Sequence, residues 1–441
     1  MVKILIFFIL FYNMISAQAD SLVLGKFDKL KVDSIVIKGN NITKDYIILR
    51  ELTIKTGDEV TGQTIDFNSE RVFSLGLFNK VRLFFKQTPE PTKNILVVRV
   101  DESWYIYPIP FVRLRDKDLS KSSYGLYIQY KNFRGRNEEI KTKIELGYDP
   151  TYYIEYYNPI IIESLDISLL TSLTWQKSLN KNTKAENLFG EEFSYNYKRI
   201  DFTLGKRLNN FNTVLFNFGY AYISLPENNN NEILKGKNNI NRVITTGMGY
   251  VFDTRDLLQF PESGIYGSAS ILHSGFGLDN INYNIANLDY RQYKKLLSGL
   301  ILKWRSNYRQ TFGDNIPYYD LSYFGYETYV RGHKNDTREG NNYWLNSIEL
   351  VHPIIKNWNL SLDLPLLPKK LTSARIEIYF SGFMDTGTVF YNGEKINIDK
   401  FDSGYGFGFT VLILPFNAVR FEYAFDEYKR SEFIIGTGFS F

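Results

Sequence analysis

From Trp104 to Phe441 the chain alternates between apolar and polar residues. Across 140–148, Ile140, Thr142, Ile144, Leu146 and Tyr148 fall on one side of an extended backbone, with Lys141, Lys143, Glu145 and Gly147 on the other. Across 419–426, Val419, Phe421, Tyr423 and Phe425 oppose Arg420, Glu422, Ala424 and Asp426. Across 433–441, Phe433, Ile435, Thr437, Phe439 and Phe441 oppose Ile434, Gly436, Gly438 and Ser440. Period two marks β-strands with two unlike faces. In a soluble sandwich the apolar face meets a second apolar face, and the loops show no long-short rhythm. Here the second face carries ionic and glycine residues, as the wall of a polar lumen does.

The pattern predicts about sixteen strands, an even number that returns both barrel ends to one side. They run over 106–115, 121–131, 138–148, 151–158, 164–177, 190–207, 212–224 and 240–252. The rest run over 264–276, 282–295, 299–311, 341–352, 372–384, 403–413, 418–426 and 433–441. The segments 178–190, 225–239 and 312–340 are polar, Asn/Lys-rich or irregular and fall at alternate connections, assigned to the outer side. The same assignment is made for 357–370, while short turns such as Asp149-Pro150 are assigned to the opposite side.

Residues 28–103 have a different texture. A short strand pattern over 32–37 ends at Gly39-Asn40, a turn signal. Thr43 is placed to cap a helix through Leu52, broken by Gly57-Asp58. A second helix is predicted over about Thr64 to Leu75, burying Ile65, Val72, Phe73 and Leu75 at helical spacing. Two strands follow, one with Val81, Leu83 and Phe85 on a face, the other with Leu96, Val98 and Val100. The order is β-α-α-β-β.

The N-terminus has a third pattern: Lys3, a nearly unbroken apolar stretch from Ile4 to Ile15, then Ala17-Gln18-Ala19. That is an export signal over 1–19, cut after Ala19 or one dipeptide earlier, and 20–27 is a linker. The apolar run is too short for the roughly 20 residues of a spanning helix. No later run is long and uncharged, so a membrane-embedded chain of this sequence must be a barrel.

Composition sharpens this reading. Among 441 residues are 33 Tyr and 34 Phe. So many Tyr need a surface that is apolar along the ring and wet at the hydroxyl, as a bilayer interface is. The net charge of +4 is modest and no basic arm suggests nucleic acid as a partner. With no cysteine, a disulfide scaffold, a zinc cluster, a redox motif and a lipidated N-terminal cysteine are excluded. The three histidines, His273, His333 and His352, lack metal-ligand spacing. Gly404-Tyr405-Gly406-Phe407-Gly408 superficially resembles a nucleotide loop, but no helix or Walker lysine follows, and a strand with a glycine face toward the lumen fits better. No nucleophile, base or carboxylate pair stands out, so neither enzyme chemistry nor a cofactor or metal is expected.

The segment Ile37-Lys38-Gly39-Asn40, through Gly57-Asp58, to Gly76-Leu77-Phe78-Asn79-Lys80-Val81 resembles a POTRA domain. Three later segments resemble the barrel of the bacterial surface antigen superfamily, the BamA/TamA-like outer-membrane protein assembly factors and two-partner secretion transporters. Val330-Arg331-Gly332-His333 resembles the V-R-G-aromatic motif of a long loop between strands eleven and twelve, with His333 in the aromatic position. Phe383-Met384-Asp385-Thr386-Gly387 resembles the F-x-D-x-G motif of strand thirteen. Asp253-Thr254-Arg255-Asp256, then Pro261 and Gly264, resembles a periplasmic turn before strand nine. Gly436-x-x-Phe439-x-Phe441 resembles the C-terminal signal by which barrels are recognised for insertion.

Alternation places Ser347, Glu349, Arg375, Glu377, Tyr379, Ser381 and Asp385 on lumen faces. Arg331, on a loop folded inward, is then expected to fork onto Asp385 and Glu349 and lock the loop. A wet lumen would hold the cost of losing this pair to roughly 1–3 kcal/mol. The resemblance implies a mainly β, sixteen-stranded transmembrane barrel over 104–441 behind one POTRA-like periplasmic domain. It implies a non-enzymatic factor in an outer-membrane bilayer whose partners are unfolded outer-membrane or secreted polypeptides, with periplasmic or lipoprotein accessory subunits. Clients are expected to add to the sheet edge at Val81, Leu83 and Phe85, and to insert at the seam between the first and last strands. The alternative is a two-partner-type polypeptide secretion transporter. Such transporters usually carry two POTRA domains and a plug helix, whereas one POTRA-like unit is legible here and only about eight residues separate the predicted cleavage site from its first strand.

Overall fold

The computed structural model describes residues 29–88, 93–115, 118–180, 183–190, 193–225, 239–325 and 328–438. The predicted signal 1–19, the linker 20–27, most of the predicted loop 225–239, Phe439 and Phe441 lie outside the described residues.

The N-terminal domain is built from β1 (Leu30–Lys31), β2 (Ser34–Lys38), α1 (Asp45–Leu49), β3 (Glu59–Val60), α2 (Gly62–Phe73), β4 (Phe78–Thr88) and β5 (Lys93–Glu102). Its main sheet has the order β2-β5-β4, with β2 parallel and β4 antiparallel to the central β5. Leu96, Val98 and Val100 turn inward from β5 and meet Ile47, Ile48, Val72, Leu83 and Phe85 in one core. The helices begin differently from expectation. Thr43 does not cap α1: with the amides of Ile42 and Thr43, its hydroxyl donates to Glu102 Oε1 at 2.7–2.9 Å. A buried carboxylate needs those donors more than a short helix needs a cap. Helix α2 starts two residues early because Thr61 Oγ1 accepts from the Thr64 amide at 3.3 Å.

Sixteen antiparallel strands follow in sequential order. They are β6 (Ile106–Arg115), β7 (Asp118–Phe133), β8 (Glu138–Gly147), β9 (Thr151–Ile162), β10 (Ile167–Leu179), β11 (Ser194–Arg207) and β12 (Asn212–Ser224). Then come β13 (Ile240–Asp253), β14 (Gly264–Ser274), β15 (Asn282–Lys295) and β16 (Ile301–Asn315). A small hairpin of β17 (Ser322–Phe324) and β18 (Arg338–Gly340) stands outside the sheet, which resumes with β19 (Asn342–Ser361) and β20 (Ser373–Phe390). The last strands are β21 (Asp402–Leu414), β22 (Asn417–Asp426) and β23 (Ser431–Thr437).

The two faces of the wall differ as the alternation requires. Ile144, Leu173, Phe216, Met248, Leu288, Ile348 and Phe407 are exposed outward. An apolar belt of this extent is stable only against lipid. Inward, charges pair along the wall: Lys141 with Glu139 and Glu155, and Arg291 and Arg305 with Asp289, all at 2.6–3.0 Å. No helix among the described residues is long and apolar enough to cross a membrane.

Strand parity corrects two loop assignments. A connection after an odd-numbered strand of the sixteen lies at the end far from the N-terminal domain, so the turn at Asp149-Pro150 shares that end with the long loops. The segment 357–370 belongs to the near end. Its first residues extend β19, and Lys370 reaches the N-terminal domain through Asn79, which donates to its carbonyl at 2.8 Å. The segment 178–190 is not wholly loop, for it contains α3 (Thr183–Phe189). Beside it Phe189 and Phe193 stack at 4.4 Å and pack toward Tyr283, Tyr318 and Tyr319 in the far mouth.

Candidate functional site

The lumen loop turns inward between β17 and β18. Val330 packs against Phe324 and Leu345, which aims the next residue at the wall. Arg331 grips Asp385 of β20 with Nε to Oδ2 at 2.6 Å and Nη2 to Oδ1 at 2.7 Å. Its Nη1 donates to Glu349 of β19 at 2.6 Å and to Glu422 of β22 at 2.9 Å. The guanidinium carbon lies 3.7 Å from the centroid of the Phe383 ring, a cation–π arrangement. The Arg331 side chain is 7% exposed and those of Asp385, Glu349 and Glu422 are 3–5% exposed. The lumen is therefore dry at this point. Arg420 Nη1, 3.7 Å from Glu422, offsets part of the excess negative charge.

Glycines make room for this loop. A Cβ on Gly404 would overlap the carbonyl oxygen of Arg331, and one on Gly387 would come 2.8 Å from the Phe324 ring. Gly404 of β21 and Gly387 of β20 thus seat the lumen loop and its hairpin. Gly332 donates its amide to Glu432 at 2.8 Å. His333 is buried and faces two carboxylates, Asp336 at Nδ1 (2.9 Å) and Glu427 at Nε2 (2.7 Å). Burial works against a charged ring, but both carboxylates favour it and hold the imidazolium above its ordinary range.

Sequence reading brought Arg331 to Asp385 and Glu349. It did not connect Glu422, Glu432 or Glu427 with the loop. Alternation already put Glu422 on the inner face, but the closeness of β22 to β19 inside the curved wall is not local information.

The near mouth is lined by other residues. In the turn between β13 and β14, Asp253 pairs with Arg255 at 2.7 Å. Asp256 Oδ1 accepts from the amides of Leu257 and Glu262 at 2.8 and 3.0 Å, Pro261 is buried, and Gly264 ends the turn at φ +109°. The turn lifts Leu257 and Phe260 into a cluster with Tyr379, Leu412 and Leu414. Phe73 of α2 joins that cluster, so the apolar face expected to fill the N-terminal core partly fills the barrel mouth.

Rim contacts tie the domain down. Arg375 forks onto Glu70 at 3.0 and 2.9 Å with Glu377 beside it at 3.3 Å, Arg207 meets Glu51 at 2.8 Å, Arg50 meets Asp166 at 2.9 Å, and Arg71, paired with Glu51 inside the domain at 3.0 Å, donates to the Asn210 carbonyl at 3.2 Å.

Strand β4 has β5 on one side and, among the described residues, no strand on the other. Leu83 and Phe85 point into the core and Val81 packs half-buried against it. What this edge offers a visitor is backbone, flanked by Arg82 and Lys86. Gly436 lies inward beside Arg420.

The profile of the Omp85 superfamily domain matches residues 132–441. That of the surface antigen variable number repeat, a POTRA family, matches residues 30–103. No curated protein matches the sequence. Among solved structures, BamA from Haemophilus ducreyi lacking POTRA domains 1–3 is similar at TM-score 0.54 and 17% identity, covering 93% of this chain and 84% of that one. CdiB from Escherichia coli is similar at TM-score 0.53 and 9% identity, covering 92% and 75%. At these identities the likeness is one of fold.

Proposed function

This chain belongs to the Omp85 superfamily, and from that premise we propose that it inserts or assembles β-barrel proteins in the outer membrane without catalysing a chemical reaction. The N-terminal domain then lies in the periplasm, and the near mouth faces it. The observation that carries the proposal is the seam. Strands β6 and β23 are the two edges of the sixteen-stranded sheet, and among the described residues no registered pairing joins them. Pro108 and Pro110 occupy alternate positions of β6, so two donors are missing from one side of that strand. A client strand can then add at β23, the seam strand that has no proline and keeps its donors.

The free edge of β4 supports a docking role in the periplasm, with accessory subunits as further partners. Gly436, Phe439 and Phe441 form the C-terminal signal in this proposal. The rival role, export of one polypeptide through the lumen, requires clearing the Arg331 loop from the lumen and the Phe73–Phe260 cluster from the near mouth.

One pair of experiments separates the two. Depletion followed by outer-membrane proteomics is expected to lower many barrel proteins. Loss of a single secreted protein would favour the transporter. A cysteine pair tethering β6 to β23 is expected to stop assembly under oxidising conditions and to release it under reduction. Full function of the oxidised, tethered protein would reject the seam.

A further inference from the structure

Arg331 accounts for the lumen loop's hold on β19, β20 and β22, but His333 takes no part in it. We propose that His333, Asp402 and Glu427 form a site for a transition-type divalent cation, zinc in the first instance, which clips the lumen loop to β21 and to the turn between β22 and β23. The candidate donor atoms of the three residues lie within 4.8 Å of one another.

Three observations support the site. The first is orientation. His333 is 3% exposed, with Asp336 at Nδ1 and Glu427 at Nε2. A neutral imidazole has one N–H. If Nδ1–H donates to Asp336, a neutral ring turns its Nε2 lone pair to the Glu427 carboxylate across 2.7 Å, and either the second proton of an imidazolium or a metal ion must lie between them. A carboxylate behind one ring nitrogen and a metal at the other is how ligating histidines are held.

The second is charge. Asp336 and Glu427 contact the ring and Asp402 lies close by, whereas Arg338 is taken up by Asp402 and Arg430 is shared between Asp336 and Asp426. With the imidazole neutral this leaves an excess of negative charge, which a divalent ion offsets.

The third is donor type. One imidazole nitrogen with two carboxylates suits zinc and its neighbours, whereas calcium prefers a shell of oxygens. Zinc at about 2.0–2.2 Å from tetrahedral ligands spaces them roughly 3.3 Å apart. The His333–Glu427 contact would therefore widen slightly and Asp402 would close in. The Glu427 side chain is 32% exposed, which leaves a route for the ion and a position for water.

The test uses untagged, full-length protein in detergent, stripped with chelator and titrated with zinc alone and with calcium alone. One equivalent of zinc is expected to bind, with calcium failing to compete. His333→Phe and Glu427→Gln should each weaken zinc binding by about tenfold or more. Zinc should slow tryptic cleavage at Lys334 and Arg338 in the parent but not in His333→Phe, with heat-modifiable gel mobility showing that each variant still forms the barrel. Sub-stoichiometric zinc would overturn the proposal and leave a proton as the cation between His333 and Glu427. Zinc binding unchanged by His333→Phe would overturn it equally.

Discussion

The lumen loop and the junction below the barrel are both held by arginine–carboxylate pairs, yet they are different kinds of attachment. In the loop one guanidinium serves three carboxylates, all nearly dry. At the junction Arg375 serves Glu70 with Glu377 beside it at 3.3 Å, Arg207 serves Glu51 and Arg50 serves Asp166, and Glu70 and Asp166 are 33% and 42% exposed. A buried, shared charge fails as a unit when one partner is removed. Scattered rim pairs are screened by water and salt and fail one at a time. The loop is therefore built to be either seated or released, and the domain below to be held by degrees.

Arg331→Ala is the strongest test of that contrast. The burial of all four groups raises the expected local cost from the wet-lumen figure to about 3–5 kcal/mol. The loop should become protease-sensitive while the barrel keeps its β circular dichroism. Arg331→Lys should rescue in part, since an ammonium cannot fork. Asp385→Ala, Glu349→Ala and Glu422→Ala should each add little to Arg331→Ala. Additive losses in these double mutants would mean that the contacts are independent, and the contrast with the junction would vanish.

Gly404→Val comes next. It removes no charge, but its side chain occupies the space of the Arg331 carbonyl, at about 1–3 kcal/mol for overpacking. Loop cleavage should rise as in Arg331→Ala, though less. An unchanged cleavage rate would show that Gly404 is not part of the loop's seat.

At the junction, Glu70→Ala should cost only about 1 kcal/mol, because Glu70 is partly solvated and Glu377 stays beside Arg375. Its effect should shrink in high salt and add to that of Arg207→Ala, read by crosslinking the N-terminal domain to the rim. A salt-independent loss as large as that of Arg331→Ala would erase the distinction.

The smallest expected effect is one of pH. Burial pushes the Glu51 carboxyl up, but Arg207, Arg71 and Arg50 outweigh it and hold the group below its ordinary value of 4.5. A depressed carboxylate contributes stability above its unfolded pKa and loses it as pH falls through the folded one. Domain–rim crosslinking should hold from neutrality down to about pH 4.5 and decline below. Glu51→Gln should remove part of that decline; an identical acid profile in the variant would assign the titration to another group.

Much of this was readable locally. A strand's two faces are written in alternate residues, so Ile144 and Glu145, or Phe421 and Glu422, declare their sides without the fold. The strand count followed, and so did the meeting of Arg331 with Asp385 and Glu349, because the resemblance named the loop and alternation named the faces. What failed was of two kinds. Thr43 has the chemistry of a cap, but Glu102, 59 residues away, claims its hydroxyl. The 357–370 connection looked like the other loops in composition, and only strand parity decides which rim it joins.

The sequence alone determined the architecture: a barrel with an apolar outside and an ionic inside, behind a small α/β domain. Those properties rest on backbone periodicity and on the unlike solvents at the two faces of a strand. The tertiary structure decided who meets whom across the lumen. Glu422 joins Arg331 across 91 residues, Glu427 joins His333 across 94, and Arg375 joins Glu70 across 305. Such partners are chosen by the curvature that closes sixteen strands and by the seating of one domain on another. Neither is encoded in the spacing of neighbouring residues.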